Sequence, residues 1–170
     1  MSRAPGDAEY TAFVHASWPA LYRTAYLLLG EHTLAEDLVQ TTLANTYASW
    51  GRVRDVDAAH GYARTAMYNT AASWFRRRSW RRELPSESLP EEQYVEDASV
   101  RPAVIDALRR LAPRQRAVVV LRYYEELSVR ETAHALGISE GTVKSQTSEA
   151  LTRLRGLLGE AIVPTNEGAR

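Results

Sequence analysis

The sequence contains no cysteine, and its apolar runs are short. Without cysteine there can be no disulfide bridge and no thiolate metal site. The longest apolar runs, at residues 25–29 and 117–121, fall far short of the roughly 20 residues that a membrane-spanning helix needs. The first residues also lack the basic and then apolar pattern of a secretory signal. We therefore expect a cytoplasmic protein that does not insert into a membrane.

Catalytic and metal-binding patterns are equally scarce. The four histidines (His15, His32, His60 and His134) are scattered, and none has the spacing of a metal-binding motif. The sequence offers no glycine-rich phosphate loop and no nucleophile elbow. We expect no metal, no cofactor and no enzymatic activity.

Charge is unevenly distributed along the chain, although the net charge is zero. Residues 50–82 hold eight arginines against two aspartates, whereas residues 83–100 hold six acidic residues and no basic one. The acidic segment also contains two prolines and few large apolar groups, a composition typical of a flexible linker. The sequence thus predicts folded units at residues 8–82 and 101–158, joined by an acidic linker at residues 83–100.

Apolar residues recur at helical spacing in both units, and the alternation typical of strands is almost absent. The first unit is predicted to contain a helix that ends at Gly30 and a second that starts with a capping box, Thr33 and Glu36, and turns Tyr47 inward. A third helix is predicted from about residue 58 into the arginine-rich segment. The predicted fold class is all-α, with two small helical domains.

A helix-turn-helix is predicted in the second unit. Ser128 and Glu131 have capping-box spacing, Gly137 stands where a left-handed residue ends a helix, and Ser139 can cap the next one. A glycine-containing turn of this length allows the second helix, at about residues 140–154, to enter a DNA major groove. Its outward face offers side chains for base edges and phosphates: Thr142, Lys144, Ser145, Gln146, Ser148 and Glu149.

Residues 108–155 resemble the promoter-binding C-terminal domain, region 4, of sigma-70 family factors. The resemblance rests on Pro113-Arg114-Gln115-Arg116, on the Ser128-Val129-x-Glu131-x-Ala133 stretch and on Gly141-Thr142-Val143-Lys144-Ser145. Earlier in the chain, residues 30–50 resemble the sigma segment that docks on the clamp helices of RNA polymerase. Residues 61–78 resemble the segment that recognises and melts the −10 element, and both belong to region 2.

The combination is similar to the extracytoplasmic-function (ECF) group of sigma factors. The resemblance implies a non-enzymatic protein that binds core RNA polymerase, at the clamp helices and the flap, and directs promoter-specific initiation. It also implies binding to double- and single-stranded promoter DNA and an anti-sigma factor as a second partner.

The resemblance assigns polymerase docking to Asp37, Leu38 and Gln40. Thr41 departs from the glutamate common in relatives. Asn69 falls where related factors hold a flipped-out base, a task that needs a snug cavity with an amide or hydroxyl for the base edge. Arginines beside aromatic rings are also the pattern that single-stranded DNA requires. The residues assigned to the −10 element are Ala66, Met67, Asn69, Ser73, Trp74, Arg76, Arg77 and Arg78.

The recognition helix departs from the family at Gln146 and Glu149, where relatives often have arginine. Glutamine can pair with adenine and glutamate can accept from cytosine, whereas arginine favours guanine. This difference predicts an altered −35 preference. The alternatives are a response-regulator-type protein that binds duplex DNA without polymerase, an enzyme, and a helical adaptor that binds only proteins. The N-terminal resemblance argues against the first, the missing motifs against the second and the basic segment against the third.

Overall fold

A computed structural model of the chain describes residues 6–77 and 100–159. Every regular element in these two ranges is helical, so the predicted all-α fold is confirmed. In chain order they are α1 (Asp7–Leu29), α2 (His32–Ala48), a 3-10 turn (Trp50–Arg52), α3 (Val56–Arg76), α4 (Pro102–Arg109), α5 (Pro113–Val119), a π-helical turn (Val120–Tyr124), α6 (Val129–Leu136) and α7 (Glu140–Leu158). Arg78 and residues 83–99 of the predicted linker lie outside the described residues.

The first module, residues 6–77, is a bundle of three long helices in which each packs against the other two. Its centre holds large apolar side chains with no more than 2% exposure: Phe13, Leu28, Leu38 and Met67. Fully burying a side chain of this kind stabilises a fold by about 1.5–3 kcal/mol. Packing between helices therefore holds this module together.

Two predicted features of α2 are wrong. The helix begins at His32 with Glu31 at the cap position, and no side chain caps it, because only two residues separate α1 from α2 and Thr33 already lies inside the first turn. Tyr47 is half exposed instead of buried. Its ring packs on Tyr10 with a centroid distance of 4.8 Å, and its hydroxyl donates to Asp7 Oδ1 at 3.0 Å.

The boundaries of α3 also differ from the prediction. The helix begins at Val56, two residues early, because the Asp55 side chain accepts a hydrogen bond from the Asp57 backbone N–H at 2.9 Å. It ends at Arg76, the first residue of the arginine cluster. In the first helix, Pro19 lies inside α1, which continues through it from Asp7 to Leu29.

The second module, residues 100–159, is built from shorter helices around α7. Pro102 and Pro113 occupy the first turns of α4 and α5, where a missing backbone N–H leaves no bond unmade. The core includes Val118, Leu121 and Leu151, all nearly inaccessible to solvent. The two modules touch, since α1 and α3 of the first contact α4, α5 and α6 of the second.

Candidate nucleic-acid interface

The helix-turn-helix has the local geometry that its sequence predicts. The Ser128 hydroxyl accepts from the Glu131 backbone N–H at 3.1 Å, and Glu131 Oε2 accepts from the Ser128 N–H at 2.7 Å. Hydrogen bonding to the Glu131 carboxyl, first from the Ser128 backbone and then from the Ser128 side chain, lowers the pKa of that carboxyl. Gly137 ends α6 in the left-handed region with φ 64°, and the Ser139 hydroxyl accepts from the Thr142 N–H at 3.1 Å to begin α7. The predicted capping box, turn and second cap are confirmed.

The recognition helix α7 presents a polar face opposite an apolar one. The residues predicted to face inward are buried: Val143, Ala150, Leu151 and Leu154. Thr147 is also buried, and its hydroxyl donates to the Val143 carbonyl at 2.7 Å. The predicted contact residues lie on the other side. Lys144, Ser145, Ser148 and Glu149 are exposed, and Thr142 and Gln146 are partly exposed. The structure therefore brings all six predicted −35 residues to accessible positions.

One contact on this face was missed by the sequence analysis. Gln115, on α5, donates from Nε2 to Glu149 Oε2 at 3.2 Å. The Gln115 amide thus holds the Glu149 carboxylate by a hydrogen bond. Sequence spacing gave no signal for this pair, because 34 residues separate the two side chains and only the packing of α5 on α7 brings them together.

The predicted polymerase-docking residues separate into surface and core. Asp37 and Gln40 are exposed on α2, whereas Leu38 has 0% exposure. The prediction that the Leu38 side chain packs against a partner therefore needs correction. Leu38 lies four residues after the buried Leu34 and three after the buried Ala35, so it faces inward in the bundle, and of the three predicted docking residues only Asp37 and Gln40 are exposed.

The predicted −10 residues on α3 divide in the same way. Asn69, Arg76 and Arg77 are exposed, and Ala66, Ser73 and Trp74 are partly buried. Met67 has 0% exposure and belongs to the core, so its predicted contact with a base also needs correction. Positions 66, 69, 73 and 76 follow the three- and four-residue spacing of one face of α3. The accessible residues thus form a strip along α3.

Groups that bind metals are not clustered in the described ranges. No set of three or more histidine, cysteine, aspartate or glutamate side chains is placed to hold a metal ion there. His60 Nδ1 lies 2.9 Å from the Ser17 hydroxyl inside the first module. Among the described helices, none is long and apolar enough to cross a membrane.

Comparison with known families assigns both modules. Residues 13–81 match the family described as Sigma-70 region 2, and residues 107–156 match Sigma-70, region 4. Both matches occur in the order that the sequence resemblance implies.

Full-length relatives agree with the two domain matches. The chain is 44% identical over 150 residues to the RNA polymerase sigma-E factor of Streptomyces coelicolor, covering 86% of this chain and 84% of that one. It is 34% identical over 179 residues to the ECF RNA polymerase sigma factor SigL of Mycobacterium tuberculosis, covering 94% and 97%. A co-crystal structure of the sigma factor RpoE with the anti-sigma factor NepR from Bartonella quintana matches with a TM-score of 0.65 at 27% identity, covering 88% of this chain and 96% of that one. The chain belongs to the sigma-70 family of RNA polymerase sigma factors, in its extracytoplasmic-function group.

Proposed function

We propose that this ECF sigma factor divides promoter recognition between its two modules. The second module binds the −35 element as duplex DNA through the outward face of α7, and the first binds the −10 element through α3. The observation that supports the division is the sharp separation on α7 between buried apolar side chains and the exposed Lys144, Ser145, Ser148 and Glu149. A helix with one polar face of short hydrogen-bonding side chains suits a major groove.

On α3, Asn69 is the residue that best suits a flipped-out base. It is exposed, its amide can both donate and accept, and the exposed Arg76 and Arg77 follow it at the end of α3 and directly after it. The partly buried Trp74 adds an aromatic surface, and exposed arginines supply the charge that a phosphate backbone requires. Asn69 thus reads the base while the arginines hold the strand.

Docking on core RNA polymerase is assigned to α2, where Asp37 and Gln40 are exposed. The chemistry of RNA synthesis stays in the polymerase, and the sigma factor works with it in the cytoplasm without a cofactor of its own. An anti-sigma protein is the further partner, in keeping with the Bartonella RpoE that was crystallised with NepR.

Run-off transcription, together with duplex binding, tests the assignment of the −35 and −10 elements to the two modules. The purified chain and core polymerase are supplied with a promoter identified by genome-wide binding of this chain. Lys144→Ala should weaken binding to a −35 duplex, whereas Arg110→Ala, which removes one positive charge from an exposed site directly after α4, should not. Association with duplex DNA but never with core polymerase would favour the response-regulator alternative.

The −10 assignment is tested by a second pair of variants. Asn69→Ala should impair open-complex formation, followed by permanganate reactivity of unpaired thymines, and leave −35 duplex binding unchanged. Asn45→Ala, at another exposed asparagine on α2, is the matched control. Equal open-complex formation by both variants would remove Asn69 from base capture.

A further inference from the structure

One carboxylate of the second module makes polar contacts with two helices of the first. Glu125, which directly follows the π-helical turn, has a side chain only 8% exposed. Its Oε1 accepts a hydrogen bond from the Thr24 hydroxyl, on α1. Its Oε2 accepts from the Tyr68 hydroxyl at 2.7 Å and lies 3.7 Å from Arg64 Nη1, both on α3. A single side chain of the second module thus binds to two helices of the first.

Three side chains of the first module contact the Glu125 carboxylate: Thr24, Arg64 and Tyr68. Thr24 and Tyr68 are 3% and 4% exposed, so their hydroxyls have little access to water. Burial raises the pKa of Tyr68, and its hydrogen bond to Glu125 raises it further, so the phenol remains a proton donor. A buried polar group without a hydrogen-bond partner destabilises the fold that contains it. Removal of the Glu125 carboxylate leaves the two hydroxyls unpaired, and removal of a hydroxyl leaves one carboxylate oxygen without that donor.

A second contact supports the first from α4. Arg109 Nε donates to the Gly30 carbonyl at 2.9 Å, at the C-terminal end of α1, where a positive charge is favoured. The same guanidinium bonds to the Tyr26 hydroxyl and lies 5.5 Å from the centroid of that ring. The modules are therefore joined at two separate points by directional polar bonds.

This docked arrangement brings the two DNA-binding elements side by side. Thr65 and Tyr68 of α3 share a cavity of about 770 Å³ with His134 and Glu140 of the helix-turn-helix. A side chain on Gly137 would place its Cβ 3.1 Å from Arg76 Nη1. The turn before the recognition helix therefore faces the helix assigned to the −10 element.

Docked modules cannot occupy both promoter elements. Elements centred at −35 and −10 are about 25 base pairs apart, which at about 3.4 Å per pair is about 85 Å of duplex. In the docked form α3 contacts α6 of the helix-turn-helix, so the two DNA-binding elements lie side by side instead of about 85 Å apart. Binding to the whole promoter therefore requires the modules to separate and the bonds of Glu125 to break.

We propose that Glu125 is an internal latch that keeps the free sigma factor closed, in a form that cannot engage polymerase and promoter with both modules. This proposal rests on the two-module function above and adds regulation to it. The apparent affinity of a protein for a partner falls by the fraction of molecules in the competent state. Strengthening or breaking the latch thus sets how readily the chain engages both promoter elements.

Spin-label distances measure the latch without DNA or polymerase. The chain has no cysteine, so Ala12→Cys on α1 and Thr152→Cys on α7, both exposed, give a clean labelled pair. We expect one short distance in the otherwise wild-type chain and a longer, broader distribution in Glu125→Ala and Glu125→Gln. Thr24→Val should produce the same change from the other side of the contact. Glu126→Gln removes an equal charge at the neighbouring exposed residue and should change nothing.

Titration of promoter DNA in the presence of saturating core RNA polymerase then measures the consequence. Glu125→Ala and Thr24→Val should each lower the apparent Kd for the promoter by about tenfold, and the double variant should gain no more, because both remove the same contact. An unchanged distance distribution in Glu125→Ala would overturn the latch. An opened chain whose promoter affinity equals that of Glu126→Gln would overturn its inhibitory role. Failure of the wild-type chain to support transcription, with the distance change intact, would instead count against the proposed function.

Discussion

The two modules are built from helices of different length and with different caps. In the first, helices of 23, 17 and 21 residues pack together, and the start of α2 has no side-chain cap. In the second, α4, α5 and α6 have only 8, 7 and 8 residues, and the starts of α6 and α7 are closed by serine side chains. Long helices offer wide faces for burial, whereas a helix of two turns leaves a large share of its backbone groups unpaired at its ends.

This difference predicts which kind of substitution should lower the stability of each module most. Isolated helices shorter than about 12 residues are marginal in water, so local caps contribute a larger fraction of the stability of a short helix. The first module should therefore depend mainly on core packing and the helix-turn-helix mainly on its caps.

The largest expected effect is a core truncation in the first module. Met67→Ala removes a fully buried side chain from α3 and should lower the free energy of unfolding by about 3 kcal/mol. Chemical denaturation of the full chain measures the loss, and hydrogen exchange should place it in α1–α3. The exposed Asn69→Ala on the same helix should stay within about 0.5 kcal/mol of wild type. Similar losses from both variants would contradict the packing account.

An intermediate effect is expected from removal of a cap in the second module. Ser128→Ala deletes the acceptor for the Glu131 N–H and should cost about 1 kcal/mol, with faster hydrogen exchange in α6. Thr33→Ala is the counterpart in the first module. Because Thr33 caps nothing at the start of α2, its replacement should be nearly neutral. A Thr33→Ala loss as large as that of Ser128→Ala would remove the difference between the modules.

The smallest expected effect is the pH dependence of the same cap. The pKa of Glu131 is lowered from its ordinary value of 4.5, first by the backbone bond from Ser128. A carboxyl whose pKa is lower in the folded than in the unfolded chain stabilises fully above its unfolded pKa and loses that effect as pH falls through the folded value. The stability difference between wild type and Glu131→Gln should therefore shrink below about pH 4.5. Unfolding curves at stepped pH measure it, and a difference that is constant with pH would argue against a charged cap.

The sequence predicted the second module in more detail than the first. Ser128, Glu131, Gly137 and Ser139 act on residues within three or four positions, so their spacing alone defines the turn. In the first module, the missing cap at Thr33 and the exposure of Tyr47 depend on how α1 and α2 meet. Such contacts are set by tertiary packing, which local patterns do not describe.

The candidate sites were also predicted only as far as local patterns and family resemblance allow. Helical periodicity and family resemblance located the outward face of α7 and the exposed Asp37, Gln40 and Asn69. They also assigned surface roles to Leu38 and Met67, because a resemblance gives positions and not the direction of a side chain. The partners of Glu125 lie 57 and 101 residues away along the chain, and nothing in the local sequence marks that glutamate as different from Glu126.

The burial of Glu125 has a consequence for ionic strength. Two of its partners, Thr24 and Tyr68, are neutral donors with almost no access to solvent, and salt screens such contacts little. Phosphate contacts behave in the opposite way, because DNA binding that releases counterions weakens steeply as salt rises. An increase in salt therefore lowers the affinity for DNA while leaving the closed form intact. The balance between a resting and an engaged sigma factor is thereby tied to the ionic content of its surroundings.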